Sequence, residues 1–415
     1  MRCECGREHV DYIKIHTGAG ILGKLTETIS GYGDIVVVSD INTKRFADMA
    51  AEFIPSFREF IFQSDELIPD EAAVEELTEA VKSADLIVAV GSGTINDLCR
   101  HVSFGLHIPY VIVATAASMD GYASSVSPLM VGGLKTTVPG QIPLAIISDL
   151  ALLETAPKRM TAAGFGDLLG KFTCLLDWKM GSLFFGEYYC GYIASVTEES
   201  VRAACRDMDV LNIQRSLIQS GVAMSYAGNS RPASGAEHHI SHFLEMKFLS
   251  EGRKAELHGI KVGMATLAVI KLYEYLLAET PDWRKISSGL DEFDLETYCA
   301  DIIRVFGTAG LEIIKEAEWY DKANRLERLA LYEKNWGSCT ALCREFLPEY
   351  SRAEGLLKKA GCPVSPVELG IGREMFQDAP VYAKEIRSRF TLLRLLDDLG
   401  LLETYAERLV GYYYK

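Results

Sequence analysis

Long hydrophobic runs are missing from this chain. No stretch of 18 apolar residues occurs in its 415, so no membrane-spanning helix is expected. Its start, MRCECGREHVDYIKIH, holds no apolar signal core, and the expected location is the cytosol. Positive charge is also short: 42 Lys and Arg stand against 57 Asp and Glu, a net charge of −15. A surface of that sign repels phosphate backbones and anionic lipid, which argues against nucleic acid and membrane partners. An anionic small molecule would then need a local positive site: a metal, a lysine or a helix N-terminus. Internal repeats and low-complexity tracts are absent. The ten cysteines, without a leader peptide, read as reduced thiols.

What is present is ordinary globular composition, 48% hydrophobic and 24% charged, in a chain long enough for two domains. Residues 34–40 (DIVVVSD), 84–94 (ADLIVAVGSGT), 108–118 (IPYVIVATAAS) and 144–154 (LAIISDLALLE) read as buried strands. Helical patterns at 44–53 and 70–84 lie between them. Strand and helix in alternation predict a parallel sheet covered on both faces. Beyond residue 158 only helical periodicity remains. The expectation is a Rossmann-like α/β domain over 1–158 and an all-α domain over 159–415, divided near 155–162. Ser365-Pro366-Val367-Glu368 predicts a capped helix start. Cys339 and Cys343, four apart on a predicted helix, read as helix packing.

The second strand runs out into Gly91-Ser92-Gly93-Thr94-Ile95-Asn96-Asp97. Glycines at a strand's C-terminal end let backbone N–H groups approach a pyrophosphate. The third glycine of the dinucleotide fingerprint is lacking, and a lone G-x-G is weak, since any strand-to-helix turn uses glycine. Asp40, ending the first of these strands, suits either an adenosine ribose or a turn. The segment 114–125 (ATAASMDGYASS) is small and hydroxyl-rich with one acid, Asp120. The hydroxyls of Thr115, Ser118 and Ser124 suit ribose or phosphate. Asp167, in GFGDLLGK (164–171), suits either the helix dipole or a metal.

Four of the eight histidines fall within 21 residues: His238, His239, His242 and His258. His238 and His242 are four apart and share one helix face. His258 comes a helix and a turn later. Imidazoles from successive helices suit zinc, nickel or iron; scattered core or surface histidines are the plainer reading. Cys3, Cys5 and His9 make a C-x-C-x3-H cluster with no clear fourth ligand.

Taken in order, GSGTIND, TAASMDGYASS, GFGDLLGK, EHHISH and LHGIKVG resemble the superfamily of dehydroquinate synthase, glycerol dehydrogenase and iron-dependent alcohol dehydrogenases. Within it, SGAEHHISHFLE, TAASMDGYAS and YAKEIRSRFTLLRLLDDLG (382–400) most resemble the bacterial sn-glycerol-1-phosphate dehydrogenases. The resemblance covers nearly the whole chain. It implies a dehydroquinate synthase-like fold and hydride transfer between NAD, or NADP, and a phosphorylated triol or ketone. It also implies one divalent ion (zinc or nickel, with iron an alternative) and a homodimer or larger assembly. Residue by residue, it makes Asp167, His238 and His258 the metal ligands. His242 and Asp120 become catalytic residues on the substrate side, and Asp167 contacts substrate as well. Gly93, Thr94, Ile95, Asn96, Asp97, Thr115, Ala116, Ala117, Ser118 and Ser124 become cofactor contacts, with Asp40 on the ribose. His239, rotated by about 100° from His238 on a helix, is left structural.

Other readings stay in view. A glycerol dehydrogenase would act on unphosphorylated substrate, and Lys135, Thr136, Thr137 and Lys171 are candidates for holding a phosphate against that reading. A lyase of the dehydroquinate synthase kind carries glutamate where Asp167 stands. A binding protein on the same fold would not need the complete ligand set.

Overall fold

The computed structural model describes residues 3–10, 12–132 and 134–415, apart from the side chains of Leu134 and Lys135. The chain forms two compact units: residues 1–168 with 190–233, and 169–189 with 234–415.

Among the described residues, eight strands belong to the first unit: β1 (Lys14–Gly18), β2 (Ile35–Asp40), β3 (Arg58–Phe62), β4 (Leu86–Gly91), β5 (Tyr110–Ala114), β6 (Val126–Val131), β7 (Leu134–Pro139) and β8 (Ala145–Asp149). Six form one sheet in the order β1-β8-β5-β4-β2-β3, and every pairing in it is parallel. Successive residues of a strand point to opposite faces. Val36, Val38, Ile87 and Ala89 therefore enter one hydrophobic core, while Val37, Val88 and Val90 enter another. Burial on both faces is why the central strands read as unbroken apolar runs.

The four expected strands are present, and four more accompany them. β1 and β3 are edge strands with half-exposed residues, and they lack the continuous run that marks a central strand. β6 and β7 form an antiparallel hairpin, Val131 opposite Leu134; the phosphate candidates Lys135, Thr136 and Thr137 fall on its second strand. Residues 150–153, expected as strand, are a helical turn capped by Asp149, which accepts from Ala151 N–H at 3.0 Å.

The domain boundary differs from the expected 158 on two counts. The helix Lys158–Leu169 belongs mostly to the α/β unit, and the helices Gly191–Arg206 and Val210–Ala227 return to it. Gln214 fixes the last of these by donating to the Ser148 hydroxyl at the end of β8, 2.9 Å away and fully buried. Helical periodicity reports an amphipathic face, not which core receives it.

Helices alone build the second unit among the described residues. Its core includes Leu176, Met180, Leu244, Met264, Leu272, Tyr332 and Leu396. Cys339 and Cys343 lie buried there, as expected, and Cys339 meets the Met180 sulfur at 3.4 Å. The helix start expected at Ser365 is only a 3-10 turn, Val367–Leu369, without a side-chain cap; Ser365 Oγ accepts from Val367 N–H at 3.3 Å, Glu368 from Val364 N–H at 3.2 Å, and Gly370 follows at φ +64°. No helix among the described residues is long and apolar enough to cross a membrane.

Candidate active site

In the α/β unit, β2 and β4 are parallel neighbours with Val38 beside Ala89, so Asp40 and Gly91 end adjacent strands. β5 ends beside them, Thr115 N–H donating to Gly91 O at 3.1 Å. From β2 the chain moves outward to β3, then crosses back to β4. Such a reversal at the carboxyl ends of parallel strands is where open α/β sheets bind ligands.

Gly91 runs through Ser92 into the helix Gly93–Leu106, whose first i→i−4 bond is Asn96 N–H to Ser92 O at 3.0 Å. The N–H groups of Gly93, Thr94 and Ile95 precede that ladder and suit a phosphate. A Cβ on Gly91 would sit 2.6 Å from the Ile95 Cβ, whereas Gly93 has room. Close strand–helix packing thus falls on the first glycine. Asn96 and Asp97 turn their side chains into the protein: Asn96 meets Tyr110 OH and Gly121 O, both at 3.4 Å, and Asp97 pairs with the buried Arg100 at 2.7 Å. Any cofactor contact from those two is left to their backbone.

The expected cofactor segment Thr115, Ala116, Ala117 and Ser118 is buried. The Ser124 hydroxyl is spent on its own turn with Val126. Asp40 Oδ1 accepts from Thr43 N–H and Oγ1, each at 2.8 Å, so the turn reading holds for that oxygen, while Oδ2 is not used by the turn.

Asp120 accepts from Ser220 Oγ at 2.9 Å, and its N–H donates to Asp167 Oδ2 at 3.1 Å. Asp167 is fully buried in the last turn of its helix. Gly164, one turn earlier, makes this approach possible: a Cβ there would stand 2.2 Å from Ala117 O.

In the helical unit, His238 and His242 lie on the helix Ala236–Ser250, and His258 opens the helix His258–Ala278. The His258 ring centroid is 5.2 Å from that of His238 and 5.4 Å from that of His242. His238 Nδ1 donates to Glu237 Oε1 at 2.8 Å. Glu237 also accepts from Gly235 N–H at 2.7 Å and Thr173 Oγ1 at 2.6 Å. Burial opposes its charge, yet the bonds from His238, Thr173 and Gly235 hold the carboxyl below its ordinary range. A carboxylate on one imidazole nitrogen fixes the tautomer and presents Nε2 as a ligand. Sequence reasoning passed over Glu237, although its place beside His238 was the available signal.

Gly235 is required where it stands, since a Cβ there would meet Asp177 Oδ2 at 2.7 Å. Asp177 accepts from Ala236 N–H, Leu392 N–H and Tyr273 OH at 2.8–2.9 Å, tying its own helix to three others. His242, Glu245 and His258 bring donor atoms within 4.8 Å of one another. Glu245 also pairs with the buried Lys261 at 3.4 Å. His239 turns elsewhere, towards Arg389 Nε at 3.4 Å, in keeping with its structural reading. Of the phosphate candidates, Lys171 is fully buried and Thr136 and Thr137 are exposed on β7. The Lys135 side chain lies outside the described residues.

Residues 16–157 match the family described as iron-containing alcohol dehydrogenase. A glycerol-1-phosphate dehydrogenase [NAD(P)+] of Geobacillus stearothermophilus is 32% identical over 425 aligned positions, covering 97% of each chain. One of Pyrococcus furiosus is 34% identical over 67% of this chain and 83% of its own. Among solved structures, glycerol dehydrogenase from Schizosaccharomyces pombe superposes with TM-score 0.63 at 16% identity, covering 97% of this chain and 91% of that one. An iron-containing alcohol dehydrogenase from Corynebacterium glutamicum gives 0.59 at 16% identity over 96% of both. These structures establish the dehydroquinate synthase-like fold, and the near-complete sequence match establishes that the chain belongs to the glycerol-1-phosphate dehydrogenase family of NAD(P)-linked oxidoreductases.

Proposed function

We propose that the protein interconverts dihydroxyacetone phosphate and sn-glycerol 1-phosphate by hydride transfer to and from NAD(P), with one divalent ion held by Asp167, His238 and His258. The observation that carries the reading is the Glu237–His238 bond, which presents Nε2 of His238 beside the His258 ring. One buried carboxylate and two imidazoles fit zinc, nickel or iron. When bound, such an ion supplies Lewis acidity at the substrate oxygen.

The residues of the chain do the remainder. The Gly91–Ile95 turn and Thr115–Ser118 hold the cofactor so that its nicotinamide meets the substrate carbon. Asp120 orients the substrate. His242, half-buried beside His258, passes the proton that accompanies reduction of the ketone. Asp40 favours NAD over NADP by repelling a 2′-phosphate. Assembly as a homodimer or larger follows the family resemblance.

The test is NADH oxidation by the purified, metal-loaded protein with dihydroxyacetone phosphate beside dihydroxyacetone. Strong preference for the phosphate ester is expected. Preference for dihydroxyacetone moves the chain to the glycerol dehydrogenase reading, and turnover of neither overturns hydride transfer to a triose.

A further inference from the structure

Cys3, Cys5 and His9 have no part in the function proposed above. Cys3, Cys5 and His9 sit on one short loop, closed by Gly6 N–H to Cys3 O at 2.9 Å and Cys3 N–H to Arg7 O at 3.0 Å. Gly6 takes φ +82°, a conformation that favours glycine. The loop thus doubles back and turns both cysteines and the histidine to the same side. Arg7 anchors it by donating to Ala227 O at 3.0 Å, at the end of the helix Val210–Ala227.

A fourth donor arrives from far along the chain. Cys190, the residue before the helix Gly191–Arg206, brings its sulfur 3.5 Å from Cys3 Sγ and 3.5 Å from His9 Nε2. Cys5 Sγ lies 3.4 Å from the same Nε2. All four donor atoms fall within 4.8 Å of one another. Tyr192 stacks on the His9 ring at 5.8 Å, and Tyr226 lies against it at 5.2 Å.

We infer that Cys3, Cys5, His9 and Cys190 form a second metal site, a closed tetrahedral zinc site of structural kind. Zinc–sulfur bonds of about 2.3 Å and zinc–nitrogen bonds of about 2.0 Å give tetrahedron edges of about 3.5 Å between N and S and about 3.8 Å between two S. The observed 3.4–3.5 Å separations match those edges to within a few tenths of an ångström. They are far longer than a disulfide bond of about 2.05 Å. Four protein ligands leave no position for substrate, which separates this site from a catalytic one. Its work is to clamp the N-terminal loop to the start of the Gly191–Arg206 helix.

Cobalt substitution tests the inference, because a thiolate-bound cobalt(II) gives a near-ultraviolet charge-transfer band that a carboxylate–imidazole site does not. The metal-stripped full-length protein, reloaded with cobalt(II), is expected to show the band, and the zinc-loaded protein a sulfur-bound ion in X-ray absorption. Cys3→Ser and Cys190→Ser should each abolish the band with loss of one metal equivalent per chain. His9→Cys should keep the metal and strengthen the band. His258→Ala, aimed at the other site, should leave the band intact. A folded, fully reduced wild-type protein without the band overturns the inference. So does a Cys3–Cys190 disulfide found by mass spectrometry of the unreduced chain.

Discussion

The backbone N–H of Asp120 donates to Oδ2 of Asp167 across 3.1 Å. The turn after β5 and the helix carrying the candidate metal carboxylate are therefore joined by a backbone group, which every substitution at 120 except proline leaves in place. The two acids proposed to face substrate and metal are held to each other by this bond.

Gly164 permits that arrangement. With Ala117 O only 2.2 Å from where a Cβ would stand, Gly164→Ala must push the Lys158–Leu169 helix off the 115–120 turn. Overpacking of this kind costs about 1–3 kcal/mol. Urea denaturation should report a loss of that size, and the KM for NADH should rise. An unchanged KM would show that the contact does not position the cofactor segment.

Glu237→Gln keeps an acceptor for His238 Nδ1 but removes the charge that makes its ring a strong donor. Metal affinity should fall by about 10–100-fold with the fold intact. Chelator competition followed by elemental analysis gives the ratio, and an unaltered affinity would remove Glu237 from the site.

His258 and His242 separate by readout. His258→Ala should lose metal and turnover together, because two ligands hold an ion poorly. His242→Ala should retain the metal and lose kcat. Metal loss in both variants would mean that His242 is a ligand, a result that its 5.4 Å ring distance to His258 permits.

Asp40→Asn retains an oxygen for the Thr43 turn while removing the charge at the end of β2. Relative kcat/KM for NADP over NAD should rise by about tenfold, a change of about 1.4 kcal/mol. If the ratio stays constant, the ribose lies elsewhere.

Burial, reinforced by the charge of Glu237, raises the Asp177 carboxyl from 3.8 to about 7. A raised acid favours the folded state while protonated. Its contribution is complete below about 4 and is lost as pH rises through about 7. Asp177→Asn does not titrate, so the stability of the wild type relative to this variant should fall with rising pH across that window and level off above it. Urea midpoints measured across the range check the slope; a pH-independent gap would place the titration on another group.

The five-motif order, the central strands and the paired histidines were legible in the amino-acid sequence because each has a local cause. Strands β2, β4, β5 and β8 are covered on both faces, so burial writes itself as consecutive Val, Ile and Ala. His238 and His242 share a face through the helical repeat alone. The tertiary structure decided the rest. β1 and β3 sit at sheet edges where one face meets water, leaving no apolar run to read. The helices Gly191–Arg206 and Val210–Ala227 joined the α/β unit through contacts such as Gln214 with Ser148, 66 residues apart. Cys190 lies 181 residues from His9, and no sequence spacing announces a partner at that distance. Periodicity records which side of an element is buried, whereas only folding determines against what, and that choice assembled both the acid pair Asp120–Asp167 and the Cys3–Cys5–His9–Cys190 cluster.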